Sequence, residues 1–377
     1  MRVIKFIFFS FILFWLCLFS ILIISRDVIN YRQGQEFTNI LHTTSESILS
    51  LSPLYPWANF DGVHYLAIAK YGYTTDAGFF PLYPVMINVL SYLIGDYFLS
   101  GLILSNLFFI SGLIIFYKLI RLDFTKEVSY QSVIFLLIFP TAFFFSAIYS
   151  ESLFFLLLIL SFYFARKRMW FCAALSGIFL SATRIVGVLI LPALMWEFYA
   201  LEKDNIRTNL KKFIPLLLVP FGLFSYMFFN FMNWGNPLYF IKAQGMLSNN
   251  RSVDQIILFP QTLFRYFKII TTVSYQQFEW WIALLEICIT LLVLCLLFIT
   301  YKQKVRVSYI IFSLFALLVP LSTGTLSGVP RYVLVAFPVF ISIALMKNQL
   351  FKIVYSIASV FLLIILWMLF SKGYYVA

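Results

Sequence analysis

The chain has 377 residues, 62% of them hydrophobic and 11% charged, whereas a soluble globular chain carries about 25% charged residues, so a water-soluble domain is excluded. Lys and Arg outnumber Asp and Glu by 27 to 15, but these cations cluster in short loops between apolar runs. That is the positive-inside pattern of a membrane protein, and it argues against a nucleic-acid partner.

The first apolar run, Phe6 to Ile24, follows Arg2 and Lys5. At about 19 residues, with no small-x-small site after it, it reads as a first span rather than a cleaved signal peptide. Further runs long enough to approach the roughly 20 residues of a span lie at 98–119, 128–147, 152–165, 169–183, 185–200, 213–230, 280–300, 307–321, 332–346 and 351–370. With the first at 6–25, the expectation is an all-α polytopic membrane protein of eleven crossings, residues 1–377 forming one multispan domain.

Loop charge sets the orientation. With the N-terminus inside, short cytoplasmic loops hold Lys118, Arg121 and Lys126, then Arg166, Lys167 and Arg168, then Lys203, Arg207, Lys211 and Lys212. Lys302, Lys304, Arg306, Lys347 and Lys352 complete the set. The outer segments then contain Asp27, Glu36, Glu46, Asp61, Asp76, Asp96, Glu151, Asp254 and Glu279. Counting Phe79 to Ile94 as a span would reverse this bias, so that run, with Pro81 and Pro84 in its first turn, is laid on or in the outer leaflet. Several spans are short for a hydrocarbon core of ~30 Å, which implies broken helices lining a cavity. Two outer segments are long, 26–97 and 231–279, and Thr38 to Ser50 in the first is expected to be an amphipathic helix.

Cys17, Cys172, Cys288 and Cys295 all lie in apolar runs without a CxxC pair, and His42 and His64 are the only histidines. Neither a thiolate site nor a His-rich metal centre is indicated, though carboxylate coordination stays open. The chemistry is therefore sought among outward acids and arginines. Asp61, in Trp57-Ala-Asn-Phe-Asp61-Gly-Val-His64, has two readings. It is a loop acid capping a helix that begins at Val63, or a ring-shielded carboxylate whose raised pKa suits a general base. His64 is a hydrogen-bonding support or a base. Glu151, in Tyr149-Ser-Glu151-Ser, is placed at a helix N-terminus where the dipole favours an acid in any case. Arg184 is either a snorkelling turn residue or a cation facing a cavity. With Arg251 and Arg331 it makes three outward cations whose forks match phosphate oxygens. A carboxylate that deprotonates an acceptor hydroxyl, beside cations that stabilise a departing lipid-linked phosphate, is the minimum equipment for moving a sugar between membrane substrates.

The segment Trp57-Ala-Asn-Phe-Asp-Gly-Val-His-Tyr-Leu-Ala-Ile-Ala-Lys-Tyr-Gly-Tyr73, then Phe79-Phe-Pro-Leu-Tyr-Pro84, resembles the first outer loop of the PIG-V-like mannosyltransferases, the GPI mannosyltransferase II family and its prokaryotic relatives. Similar blocks follow in order at 140–152, Thr183-Arg184, 235–240 with Gln244 and Arg251, and 329–338. The resemblance implies a GT-C glycosyltransferase bundle whose long first outer loop contains juxtamembrane helices. It also implies an extracytoplasmic or lumenal site, and inverting transfer of a hexose, usually mannose, from a polyprenyl or dolichyl phosphate sugar to a glycolipid or glycan. Asp61 takes the place of the family's first-loop acid, the expected general base. Trp57, His64, Tyr149, Glu151, Arg184, Arg251 and Arg331 are the expected substrate-binding set, with no cofactor or essential metal. The soluble insertions are minimal and no ER-retrieval signal ends the chain, so a prokaryotic cytoplasmic membrane is expected, or the ER if the chain is eukaryotic. A lipid-linked-substrate transporter or flippase and a non-catalytic subunit of a glycosyltransferase complex are the competing readings.

Overall fold

A computed structural model describes residues 2–32, 52–74, 76–247, 255 and 257–376; the expected helix at 38–50 and Arg251 lie outside them. The described residues are helical, without strands. In chain order the principal helices are α1 (Arg2–Val28), α2 (Asp61–Tyr71), α3 (Leu82–Ile94), α4 (Tyr97–Ile120), α5 (Lys126–Leu137), α6 (Glu151–Arg166), α7 (Trp170–Ser181) and α8 (Ile190–Glu202). Then come α9 (Phe221–Trp234), α10 (Tyr239–Leu247), α11 (Phe259–Thr272), α12 (Phe278–Lys302), α13 (Val307–Leu321), α14 (Pro338–Leu345) and α15 (Gln349–Ser371).

Among the described residues six helical stretches are long and apolar enough to cross a bilayer: Arg2–Val28, Tyr97–Ile120, Ile185–Glu202, Leu210–Trp234, Phe278–Lys302 and Gln349–Ser371. Leu82–Ile94, Trp170–Ser181 and Val307–Leu321 are apolar but shorter. The chain is thus an integral, polytopic helical membrane protein. Two expected spans are broken. The run at 128–147 becomes α5 followed by a tight turn at Ala142–Phe145, and the run at 332–346 becomes two single turns and then α14. Pro140 and Pro338 stand at these breaks, where proline cannot supply the backbone donor that an unbroken helix needs.

Small residues let the central helices approach. A Cβ on Gly112 of α4 would sit 2.8 Å from the Phe155 ring of α6, and one on Gly222 of α9 would sit 2.1 Å from the Ile178 carbonyl of α7. α6 packs against both α4 and α7 and runs through the middle of the core. Its 16 residues span roughly 24 Å at 1.5 Å per residue, so its two ends lie on opposite faces of the bundle.

At the Arg166 end, Asp123 pairs with Arg166, and Glu197 accepts from Arg306 at 2.9 Å and from Ser308 at 2.6 Å. Lys352 reaches Gln131 at 2.8 Å on the same side. This is the basic-loop end expected to face the cytoplasm. At the Glu151 end gather the first residues of α2, the turn before α6, the turn after α7 and the turn after α13. Backbone and side-chain bonds tie them together: Ile148 N to Trp57 O at 2.8 Å, Thr141 Oγ1 to Pro330 O at 2.7 Å, and Asn59 Nδ2 to Phe370 O at 2.9 Å.

Candidate active site

Asp61 is the first residue of α2 rather than the cap before it. Phe60 holds the cap position at φ 60° and ψ −114° without a side-chain cap bond. A bulky residue at positive φ costs energy, and here the surroundings enforce it. The Tyr149 hydroxyl donates to Asn59 O at 2.7 Å and accepts from Asp61 N at 3.2 Å, while Phe60 packs on Phe370 and Tyr375 at 5.4 and 5.3 Å. Tyr149 is fully buried and so acts on the backbone that carries Asp61.

Four charged residues from distant parts of the chain meet in a row of alternating sign. Arg184 Nη1 donates to Glu151 Oε1 at 2.5 Å, Arg331 Nε lies 3.2 Å from that same oxygen, and Arg331 Nη1 donates to Asp61 Oδ2 at 2.6 Å. Side-chain exposure along the row is 15%, 2%, 6% and 25% for Arg184, Glu151, Arg331 and Asp61. The middle pair is therefore sealed, and the two ends, one cation and one carboxylate, are partly exposed. Rings wall the row: Arg331 lies over Phe144, Tyr149 and Tyr332 at 5.5 to 5.8 Å, and Arg184 over Tyr332 at 4.9 Å. Cations held over rings in a desolvated place gain from the ring quadrupoles.

Sequence reasoning expected Asp61 to have a raised pKa, and the structure reverses this. Burial does push the carboxyl upward, but the charge of Arg331 and its hydrogen bond outweigh burial, aided by His64 and Arg184, and the pKa falls below the usual 3.8. His64, one turn along α2, has a partner the sequence did not suggest: its Nδ1 is 3.1 Å from Asp76 Oδ1, and its ring stacks on Phe79 at 5.0 Å. Burial works against the imidazolium, but the hydrogen bond and charge of Asp76, with Asp61 adding, carry the His64 pKa above 6.5. Asp76 lies 15 residues after Asp61 in a Gly- and Thr-containing loop, where no periodicity marks it.

Trp57 is corrected. Expected to touch substrate, it is fully buried, stacked on Trp15 at 5.0 Å and tilted against Trp367 at 4.8 Å. With no exposed surface, it is a core residue joining α1, α15 and the approach to Asp61. Of the three cations expected near a phosphate, Arg251 lies outside the described residues, and Arg184 and Arg331 each pair with a carboxylate, as a buried guanidinium without a counter-charge would be expensive.

Fold and site together define a polytopic membrane protein with a charged, ring-walled site at one end of its helices. The model of the Mannosyltransferase (PIG-V) family matches residues 1–241, and the chain belongs to that family of membrane glycosyltransferases. The matched region carries Asp61, His64, Tyr149, Glu151 and Arg184, while Arg331 lies beyond it. No match is found among curated proteins.

Proposed function

We propose that this chain is an inverting GT-C hexosyltransferase that moves mannose, or a similar hexose, from a polyprenyl or dolichyl phosphate sugar to a glycolipid or glycan on the extracytoplasmic side. The observation that carries this reading is the charge row with accessible ends. Inversion requires a base on one face of the sugar and the departing phosphate on the other. Asp61 and Arg184 are the partly exposed ends of the row, with Arg331 and Glu151 filling the distance between them.

In this assignment the acceptor oxygen attacks the anomeric carbon as the bond to the phosphate oxygen breaks. The acceptor proton passes to Asp61, and the phosphate leaves on its lipid with Arg184 stabilising the added charge. The hydroxyl becomes acidic as its new bond forms, so a carboxylate that Arg331 keeps ionised is a sufficient base. Arg331 and Glu151, both nearly inaccessible, hold Asp61 and Arg184 rather than touch sugar. His64, half-open and oriented by Asp76, supplies a positive donor beside Asp61. Arginine and histidine offset the phosphate charge that a divalent ion would otherwise neutralise, so no essential metal or cofactor is assigned. The basic loops at the Arg166 end support a cytoplasmic position for that end, and the minimal insertions suit a prokaryotic cytoplasmic membrane.

The test is product identification: glycolipids and glycans from cells with and without the gene, compared by mass spectrometry, together with transfer from labelled polyprenyl-phosphate mannose in isolated membranes. A hexose-bearing product that depends on the gene supports transfer. Movement of the labelled lipid across proteoliposomes lacking acceptor, with no product formed, supports a flippase instead.

A further inference from the structure

Glu286 is a carboxylate with 3% exposure inside α12, one of the helices long and apolar enough to cross the bilayer. An acid at such a place is costly and marks function, and the transfer chemistry above does not use it. Its Oε2 accepts from the Tyr266 hydroxyl of α11 at 2.5 Å. That same hydroxyl accepts from Leu326 N at 2.9 Å and lies 3.2 Å from Thr325 Oγ1, which in turn accepts from Ser327 N at 3.1 Å.

From Leu326 a short run of turns leads to the site. Leu326 O accepts from Val329 N at 2.9 Å, and Gly328 O accepts from Arg331 N and Tyr332 N, each at 3.0 Å. Alongside, α11 and the residues before it are fastened to the preceding stretch. Arg265 Nη1 donates to Gly324 O at 3.1 Å, Thr262 Oγ1 to Leu321 O at 3.3 Å, and Ile257 N to Ser322 O at 3.0 Å. Gly324 has φ +78°, and a Cβ there would meet Ile257 Cδ1 at 2.4 Å.

The geometry points to Glu286 and Tyr266 as a buried latch through which α11, part of the second long outer segment, positions Arg331 and through it the Asp61 carboxylate. Both are positioning residues, and the assignment rests on Asp61 and Arg184 being the reacting ends of the charge row. The Tyr266 hydroxyl is the hub, because Glu286 Oε2, Leu326 N and Thr325 Oγ1 all meet at it, and removing it takes the acceptor from the buried Leu326 amide. What Glu286 must supply is an acceptor oxygen at the right reach.

The experiment measures kcat and donor KM for transfer from labelled polyprenyl-phosphate mannose in membranes, at equal amounts of folded protein judged by size exclusion. Tyr266→Phe, Glu286→Gln and Glu286→Asp are each made alone and combined with Arg331→Lys. Gln keeps the acceptor and loses the acid, whereas Asp keeps the acid and falls one methylene short. Expected are at least a tenfold loss of kcat for Tyr266→Phe and Glu286→Asp with donor KM within about twofold, and Glu286→Gln within about threefold of wild type. In the Arg331→Lys background the same two losses shrink to under about threefold, because the residue they position is already altered. Should Tyr266→Phe fail to fold, the Asp and Gln variants decide. Glu286→Asp at the wild-type rate, or equal losses in both backgrounds, overturns the latch. Asp61→Asn, run beside them, separates the two ideas: its full activity would sink the reading of the site, whereas an inactive Asp61→Asn next to a normal Glu286→Asp sinks the latch alone.

Discussion

Replacing Glu151 by Gln removes the carboxylate that Arg184 and Arg331 share. Glu151 Oε1 sits 2.5 Å from one guanidinium nitrogen and 3.2 Å from the other, with the side chain 2% exposed. At charge separations near 4 Å and an effective dielectric constant of about 20, each pair is worth roughly 4 kcal/mol before desolvation. Gln retains a carbonyl acceptor but no charge, leaving two buried cations with Asp61 as their single paired counter-charge among the described residues. Breaking a buried pair in this way costs about 3–5 kcal/mol. The assay is thermal denaturation in detergent followed by fluorescence-detected size exclusion, with Glu127→Gln, a surface helix-start acid, as control. Glu151→Gln is expected to unfold many degrees below wild type and to lose transfer even when assayed cold. Melting within about 1 °C of wild type, for a loss of this size, would refute the account of the row as a sealed ion network.

The remaining predictions concern the neighbours of that row. Trp57→Ala opens a cavity between Trp15 and Trp367 and should cost about 3–5 kcal/mol, seen as reduced folded yield, while Trp57→Phe keeps the donor KM of wild type; a raised KM with normal yield would restore Trp57 to the substrate surface. His64, with its pKa raised above 6.5 by Asp76, contributes stability and positive charge that are fully present below 6.5 and lost as pH rises through the folded value. Activity should therefore fall on the alkaline side, and Asp76→Asn should move that limb toward lower pH; an unchanged pH profile would remove the pair from the site. Asp61 runs the opposite way: its pKa lies below 3.8, so its contribution persists through neutral pH and is lost only in strong acid, and no neutral-range limb should belong to it.

The outline of the molecule could be read from its apolar runs, because a span declares itself by length and the basic loops declare its ends. Which face of each span meets lipid was hidden, since both faces are apolar: Phe9 is 67% exposed and Phe11 8%, yet nothing in the run separates them. The same ambiguity misplaced Trp57, whose ring suits an interface as well as a core. Asp61, Glu151, Arg184 and Arg331 stood out singly as polar groups among apolar ones. Their order in space did not, because Asp61 and Arg331 are 270 positions apart and no periodicity links the ends of different helices. The expected rise in the Asp61 pKa followed from burial alone; it was reversed by a partner that only the fold brings near. Asp76 and the Tyr266–Glu286 contact were missed for the same reason, although an acid within the apolar run of α12 was a signal that could have been followed.

The central claim is that Asp61 accepts the proton from the acceptor hydroxyl during sugar transfer. The most direct measurement is the single-turnover rate of transfer from labelled polyprenyl-phosphate mannose by Asp61→Asn, in membranes containing native acceptor and with folded protein matched to wild type. Asn keeps the size and an oxygen for Arg331 but cannot take a proton, so the account predicts that the protein folds, still binds donor and transfers at least a hundredfold more slowly, in line with the roughly 10²–10⁴-fold value of a general base. Transfer at a rate near that of wild type would contradict it.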